Sequence, residues 1–413
     1  MKSDSKSKNR IDKIIDSKID NRIDDKNDNR IKTEIKTKDS EKAEGSGKKA
    51  LRNPSIELLR IVMMMQIIFL HISDYGDYTD IAKKLGGHTE LAYWIIWLMC
   101  RCPVYVFIII MGYFLSTSTS GFNIKRILKC YLPMYFYSVA IPVIYGLIRP
   151  GVVTNEQYIK AFIPFLSRTW YFMTLYLLVL ILSPYLNRMV QGLDRKHFLL
   201  LIGICFCLFS VWQPISMLEP FEGIVGIKKI LATQGGKSLY DFIYMYLLGA
   251  YLRKYHLFRT HDNTPDGSIW SKPYLYFLSF LLLGLVNVLL VYNYPDVGIE
   301  DVIGYNDNPL VVLQCVCIFR TFEKLDLTRF RIAGELINFI SAGNLGIYMI
   351  HEHPLIRNYI WEELFTTDSI SFYSEGGYLL KFMLIIFVVY FACWLLDWVR
   401  RMAAGFIAKL FKK

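Results

Sequence analysis

The sequence contains no C-x2-C pair, so it lacks the ligand spacing of a structural zinc site. Six of its eight cysteines form C-x-C pairs, Cys100/Cys102, Cys205/Cys207 and Cys315/Cys317, within or beside apolar runs. Side chains two apart on a helix diverge, so these read as small polarizable packing residues and not as a disulfide framework. No metal site is expected. The first hydrophobic run lies far from the N-terminus and carries no small-residue cleavage site, which argues against a secretory leader. No repeat relates the two halves, and no Gly/Pro-broken spans stand in matching positions, so the marks of an inverted-repeat transporter are missing. Residues 1–53 lack aromatics altogether. They form a low-complexity tail of Lys, Asp, Asn, Arg and Ile with near-repeats at Asn21 and Asn29, and Ile11, Ile15, Ile19 and Ile23 make at most a narrow helical stripe. Such a composition predicts disorder, with lysines suited to an anionic lipid surface.

What the chain has in abundance is apolar length. Hydrophobic residues make up 54% of it. They are gathered in runs such as Ile56–Ile72, Leu91–Leu115, Trp170–Leu186, Tyr274–Tyr294 and Tyr378–Val399. A hydrocarbon core of about 30 Å needs roughly 20 such residues per helix. The expectation is an all-α, polytopic integral membrane protein with about ten transmembrane helices: a charged tail over 1–53, then a transmembrane domain over 54–413. The net charge of +11 does not point to nucleic acid, because the positive residues follow the loops. Lys125, Arg126 and Lys129, then Arg188, Arg195 and Lys196, then Arg253 and Lys254, then Arg320, Lys324, Arg329 and Arg331 alternate with acidic loops at Asp74–Glu90, Asp296–Asp307 and Glu362–Glu375. This positive-inside pattern places both termini in the cytoplasm of a multi-pass cell-membrane protein.

Ionisable residues inside such a span are costly and mark functional sites. Arg60 and His71 are eleven residues apart in the first apolar run. That is about three helical turns and roughly 16 Å of rise, with little angular remainder. A guanidinium near one membrane surface and an imidazole near the other therefore share one helix face, with Glu57 one turn below Arg60. A second polar cluster, Tyr348-Met-Ile-His351-Glu352-His353-Pro354, closes the apolar run Ile337–Ile350 on the same outer side as His71. His353 beside Pro354 reads as a helix-end marker. Arg126 and Lys129, three apart, face together at the inner start of another helix and suit phosphates. Gly112 would allow a close helix approach.

These segments, in this order, resemble the membrane acyltransferase family 3, integral-membrane enzymes that O-acylate bacterial surface sugars. Arg60 with ten residues and then His71 resembles the family's Arg-x10-His first helix. Pro103…Phe107…Gly112-Tyr113 is similar to its second-helix motif, with Met111 where Ser is usual, and Arg126-Ile-Leu-Lys129 is similar to its Arg-x-x-Arg segment, with Lys for the second Arg. Trp170-Tyr-Phe…Ser183-Pro184-Tyr-Leu-Asn187 and Gly346-Ile-Tyr348-Met-Ile-His351-Glu352 resemble two later helices.

The resemblance implies transfer of an acyl group, acetyl by expectation, from cytosolic acyl-CoA to a hydroxyl of an extracytoplasmic glycan such as an exopolysaccharide. On that reading Arg60, Arg126 and Lys129 hold the nucleotide and pyrophosphate end of the donor. His71 is the general base, since an imidazole changes charge near neutrality, or forms a transient acyl-imidazole. His351 and Glu352 orient His71 or the acceptor. The expected partners are membrane lipid, acyl-CoA, the glycan acceptor and polysaccharide biosynthesis proteins, and no nucleic acid. The competing classes are a transporter or flippase and a non-catalytic subunit of a polysaccharide synthesis or export system.

Overall fold

The structure, a computed structural model, describes residues 52–119, 121–212, 215, 235–255, 272–293, 304–365 and 375–410. The tail and its isoleucine stripe, and most of the loops 213–237 and 296–307, lie outside the described residues. Helix α1, Pro54–Tyr75, opens the bundle. Pro54 is pre-set for the first helical turn, and the Asn53 side chain accepts from the Ser55 amide. Short α2 (Tyr78–Leu85) leads into α3 (Gly87–Met99) and α4 (Pro103–Leu115). The apolar run over 91–115 is thus interrupted at Cys100–Cys102, because Pro103 supplies no amide proton to continue the first helix. Then come α5 (Ile124–Ile148), α6 (Asn155–Phe162), α7 (Tyr171–Gly192) and α8 (Arg195–Cys205), the last running on through π-helical turns to Trp212. The remaining helices are α9 (Leu239–Lys254), α10 (Pro273–Asn293), α11 (Pro309–Lys324), α12 (Arg331–Ser341), α13 (Asn344–His351), α14 (Pro354–Asn358) and α15 (Glu375–Leu410).

The chain is all-α over the described residues and polytopic, as its hydropathy predicts. Seven helical stretches there are long and apolar enough to cross a membrane. The expected ten would require α9 and α11, of 16 residues each, and the broken pair α12/α13 as well. At about 1.5 Å per residue α9 and α11 are shorter than a full hydrocarbon core, and α12/α13 reaches that length only as a broken pair.

Burial is arranged around α1, whose Leu59, Met63, Ile68 and Ile72 are inaccessible. By contrast α10 exposes Leu278, Leu282, Leu285 and Leu289, and α15 exposes Leu380, Leu384, Val388 and Phe391. An apolar outer face of this kind is stable against lipid tails and not against water. The closest helix pair is α4 with α9. A methyl added at Gly112 would overlap the Tyr246 carbonyl, and one at Gly249 the Ile109 carbonyl, so the two backbones touch through glycine on both sides. Cys102 and Cys315 are fully buried beside this crossing, with the Cys315 thiol 3.5 Å from the Cys102 carbonyl, which is a packing role.

Two paired elements position the site. Helix α12 braces the inner half of α1: Ser341 Oγ bonds Glu57, and Asn338 Nδ2 donates to the Arg52 carbonyl at 3.2 Å. The chain then breaks at Ala342–Gly343, and α13 continues toward the outer end. Helix α15 holds the break: Trp394 Nε1 donates to the Ile340 carbonyl at 3.0 Å, and Tyr390 Oη to Asn344 Oδ1 at 2.8 Å. Gly346 lies so close to the Asp397 carboxylate that a side chain there would collide with it.

Candidate active site

Positions 60, 64, 67 and 71 of α1 fall on one helical stripe. The first three line a cavity of about 310 Å³ that also meets Phe107, Met111, Phe172, Tyr176 and Tyr348. Its mouth, at the N-terminal end of α1, is polar, formed by Arg52, Arg60, Ser341 and Asn344, and its body is apolar and sulfur-rich. Arg60 is half-buried and anchored to Glu57 at 3.3 Å, while its Nε has no partner. Such a group is a ready donor to an incoming anion. Arg126 is also half-buried but does not line the cavity. Lys129 is exposed and does not line the cavity, although Cys130 beside it does. Of the three expected cations, only Arg60 therefore lines the cavity.

At the other end of the stripe the expected residues meet. His71 Nδ1 lies 3.0 Å from His351 Nε2 and 3.0 Å from Glu352 Oε2, the latter an ion-pair contact without hydrogen-bond alignment. The protons can be placed from the partners. His351 Nδ1 lies 2.6 Å from the Ile347 carbonyl, which only accepts, so in the neutral ring Nδ1 bears the proton and Nε2 is an acceptor. His71 must then donate from Nδ1, which leaves the lone pair of its neutral ring on Nε2. A carboxylate and a second imidazole thus fix the tautomer of His71, the arrangement a general base needs. His351 and Glu352 are buried, whereas His71 keeps 15% side-chain exposure, so of the three it is the one a reactant can touch.

Sequence reasoning missed Arg357. Its guanidinium reaches Glu352 Oε1 at 3.3 Å and lies 4.1 Å above the Tyr75 ring, holding the far oxygen of the carboxylate that faces His71. Its place five residues after Glu352, across a proline, carried no helical register that would have revealed the pairing. His353 behaves as the helix-end marker expected of it: its Nδ1 accepts from the Leu355 amide as N-cap of α14, and its ring packs on Trp170. Among the described residues no group of three or more His, Cys, Asp or Glu side chains is placed to hold a metal ion.

The motif residues that do not reach the site bind the bundle together. Tyr113 Oη donates to Glu323 at 3.1 Å and receives Arg253 at 3.3 Å. Asn187 Nδ2 donates to the Leu115 and Ser118 carbonyls and its Oδ1 accepts from Tyr246 Oη at 2.6 Å.

No curated protein and no solved structure gave a match to the chain. A family model described as an acyltransferase domain matches residues 53–398, which takes in every element of the site just described. The chain therefore belongs to acyltransferase family 3 and is a membrane acyltransferase.

Proposed function

We propose that this protein transfers an acyl group, acetyl by preference, from cytosolic acyl-CoA across the cell membrane to a hydroxyl of an extracytoplasmic glycan such as an exopolysaccharide. Both termini lie in the cytoplasm on this reading. The observation that carries it is one stripe of α1 on which Arg60, Met64 and Ile67 line a cavity and His71, one turn beyond, meets His351 and Glu352. Arg60 and Arg126 hold the donor's phosphates at the mouth, and Lys129 contacts the part of the nucleotide that stays outside. The pantetheine arm runs along α1, whose rise from Arg60 to His71 is roughly 16 Å. Its thioester then arrives beside His71.

The chemistry balances without any further reactant. His71 Nε2 takes the proton of the acceptor hydroxyl, and the oxygen attacks the thioester carbonyl carbon. The C–S bond breaks as the new ester C–O bond stands, and the CoA thiolate leaves with the proton from Nε2. Glu352 stabilises the imidazolium formed in between, and His351 keeps the ring oriented. The apolar walls exclude water, which would otherwise hydrolyse the thioester.

The test is acyl-CoA turnover by the full chain in nanodiscs with cell-surface glycan present, followed as free thiol. His71→Ala should abolish glycan-dependent thiol release, and Arg60→Gln should raise the KM for acyl-CoA about tenfold or more. Full activity in both variants, at normal membrane insertion, would sink the reading.

A further inference from the structure

A second cavity, of about 220 Å³, opens beside the first on the outer side, between α5, α6 and the turn into α14. Two chain segments run past both cavities in step. Residues 167–169 and 353–355 line the outer one, whereas Phe172, Met173 and Tyr176, with Asn344, Leu345 and Tyr348, line the inner one. Between these stretches stand Trp170 on one segment and His351 and Glu352 on the other, the latter two on His71. Trp170 packs on His353 with ring centroids 5.6 Å apart, and its buried indole N–H has no partner. The chain between the two linings thus carries both partners of His71.

The outer cavity presents polar and cationic side chains of its own. Its lining includes Gln157, Lys160, Ser167, Arg168, Thr169 and His353. Arg168 has a φ of 52°, the left-handed region that a long side chain rarely adopts. Strain of this kind persists only where the surroundings impose it, and it gathers at ligand sites. No carboxylate pairs with Arg168 among the described residues, and the one acid beside Lys160, Glu156, shares with it an exposed pair at 2.5 Å that a ligand can displace. His353 accepts at Nδ1, so its Nε2 carries a proton to donate.

We propose that this outer cavity is the acceptor site and that it selects a glycan bearing an anionic group, a sugar carboxylate or phosphate, held by Arg168 and Lys160. The inference rests on the acyl-transfer reading above and adds the acceptor's charge to it. With the anion on Arg168 and Lys160, and with Gln157 and His353 on ring hydroxyls, one hydroxyl is presented to His71, which removes its proton.

The experiment uses the full chain in zwitterionic nanodiscs, with acetyl-CoA and two oligosaccharides of equal length, one containing glucuronate and one neutral. The expected result is a kcat/KM at least tenfold higher for the acidic acceptor. Arg168→Gln and Lys160→Gln should each raise its KM about tenfold, with kcat and the KM for acetyl-CoA unchanged. Equal use of both acceptors, with neither variant affected, overturns the proposal. Titration of the acidic oligosaccharide against wild type and Arg168→Gln without donor separates the two readings. Arg168-dependent binding with no transfer to any glycan keeps the anionic site and removes the acyl-transfer reading. Loss of that binding on adding anionic lipid to the discs assigns the site to a lipid headgroup and overturns it.

Discussion

Glu352 shows what a single residue decides in this site. Its carboxylate lies between His71 at 3.0 Å and Arg357 at 3.3 Å, in a place that water barely reaches. Taking a charge into such surroundings is tolerated only when it is paired. Replacing it by Gln preserves the shape and removes the charge that stabilises an imidazolium on His71. Glu352→Gln should therefore lower kcat for acyl transfer by about 10²-fold or more, with the KM for acyl-CoA near that of wild type. His351→Asn should cost less, because an amide still meets His71 Nδ1 while Glu352 keeps its charge. If Glu352→Gln raised the KM and spared kcat, the carboxylate would belong to binding and not to the proton transfer.

At the scale of elements the molecule depends on two close approaches. Helices α4 and α9 meet through Gly112 and Gly249, and α13 meets α15 where Gly346 faces Asp397. Gly112→Ala sets a methyl against a backbone carbonyl that cannot turn away, an overpacking that costs about 1–3 kcal/mol. Thermal unfolding in detergent should occur at a lower temperature for Gly112→Ala. Gly203→Ala, where nothing lies within 4 Å on α8, should unfold no earlier than wild type, since alanine favours the helix. Asp397 carries a heavier load. It accepts Tyr137 Oη at 2.8 Å and Arg400 Nη2 at 2.7 Å and lies 2.8 Å from Arg401 Nε, at 1% exposure. Breaking such a buried pair costs about 3–5 kcal/mol. Asp397→Ala should unfold at lower temperature than Gly112→Ala, and activity should fall with it because α13 carries His351. A variant as stable as wild type would show that the buried charges around Asp397 contribute nothing to holding α15 in place.

For the whole molecule, the arginines that mark the inner loops serve two ends. Arg126 is half-buried, while Arg320 is only 2% exposed, bonded to Glu323 at 3.0 Å and to the Leu252 carbonyl at 3.4 Å. Counting charges in loops therefore assigns an orientation without telling which of them are solvated. The orientation can be read directly. In a background without the eight native cysteines, Asp80→Cys, exposed on α2, should react with a membrane-impermeant maleimide added to intact cells. Lys125→Cys, exposed at the start of α5, should react only after the membrane is opened. The opposite pattern would invert the membrane and, with it, the sides assigned to donor and acceptor.

The amino-acid order alone determined the membrane class, since long apolar runs have no stable place in water. It also determined that Arg60 and His71 share a face, because within one helix the angle between two residues follows from their spacing alone. The likeness of ordered segments along the chain to acyltransferase family 3 was legible in the same way. What no local period encodes is which helix ends meet. His71 and His351, 280 residues apart, are joined only by the packing of α13 on α1, which also brings Arg357 to Glu352. The same packing leaves both Arg126 and Lys129 out of the cavity lining, although Cys130 beside them reaches it. The break at Ala342–Gly343 belongs to the tertiary structure too. The apolar run there carries no sign of an interruption by hydropathy, and bonds from Trp394 and Tyr390 on α15 brace the chain on both sides of the break.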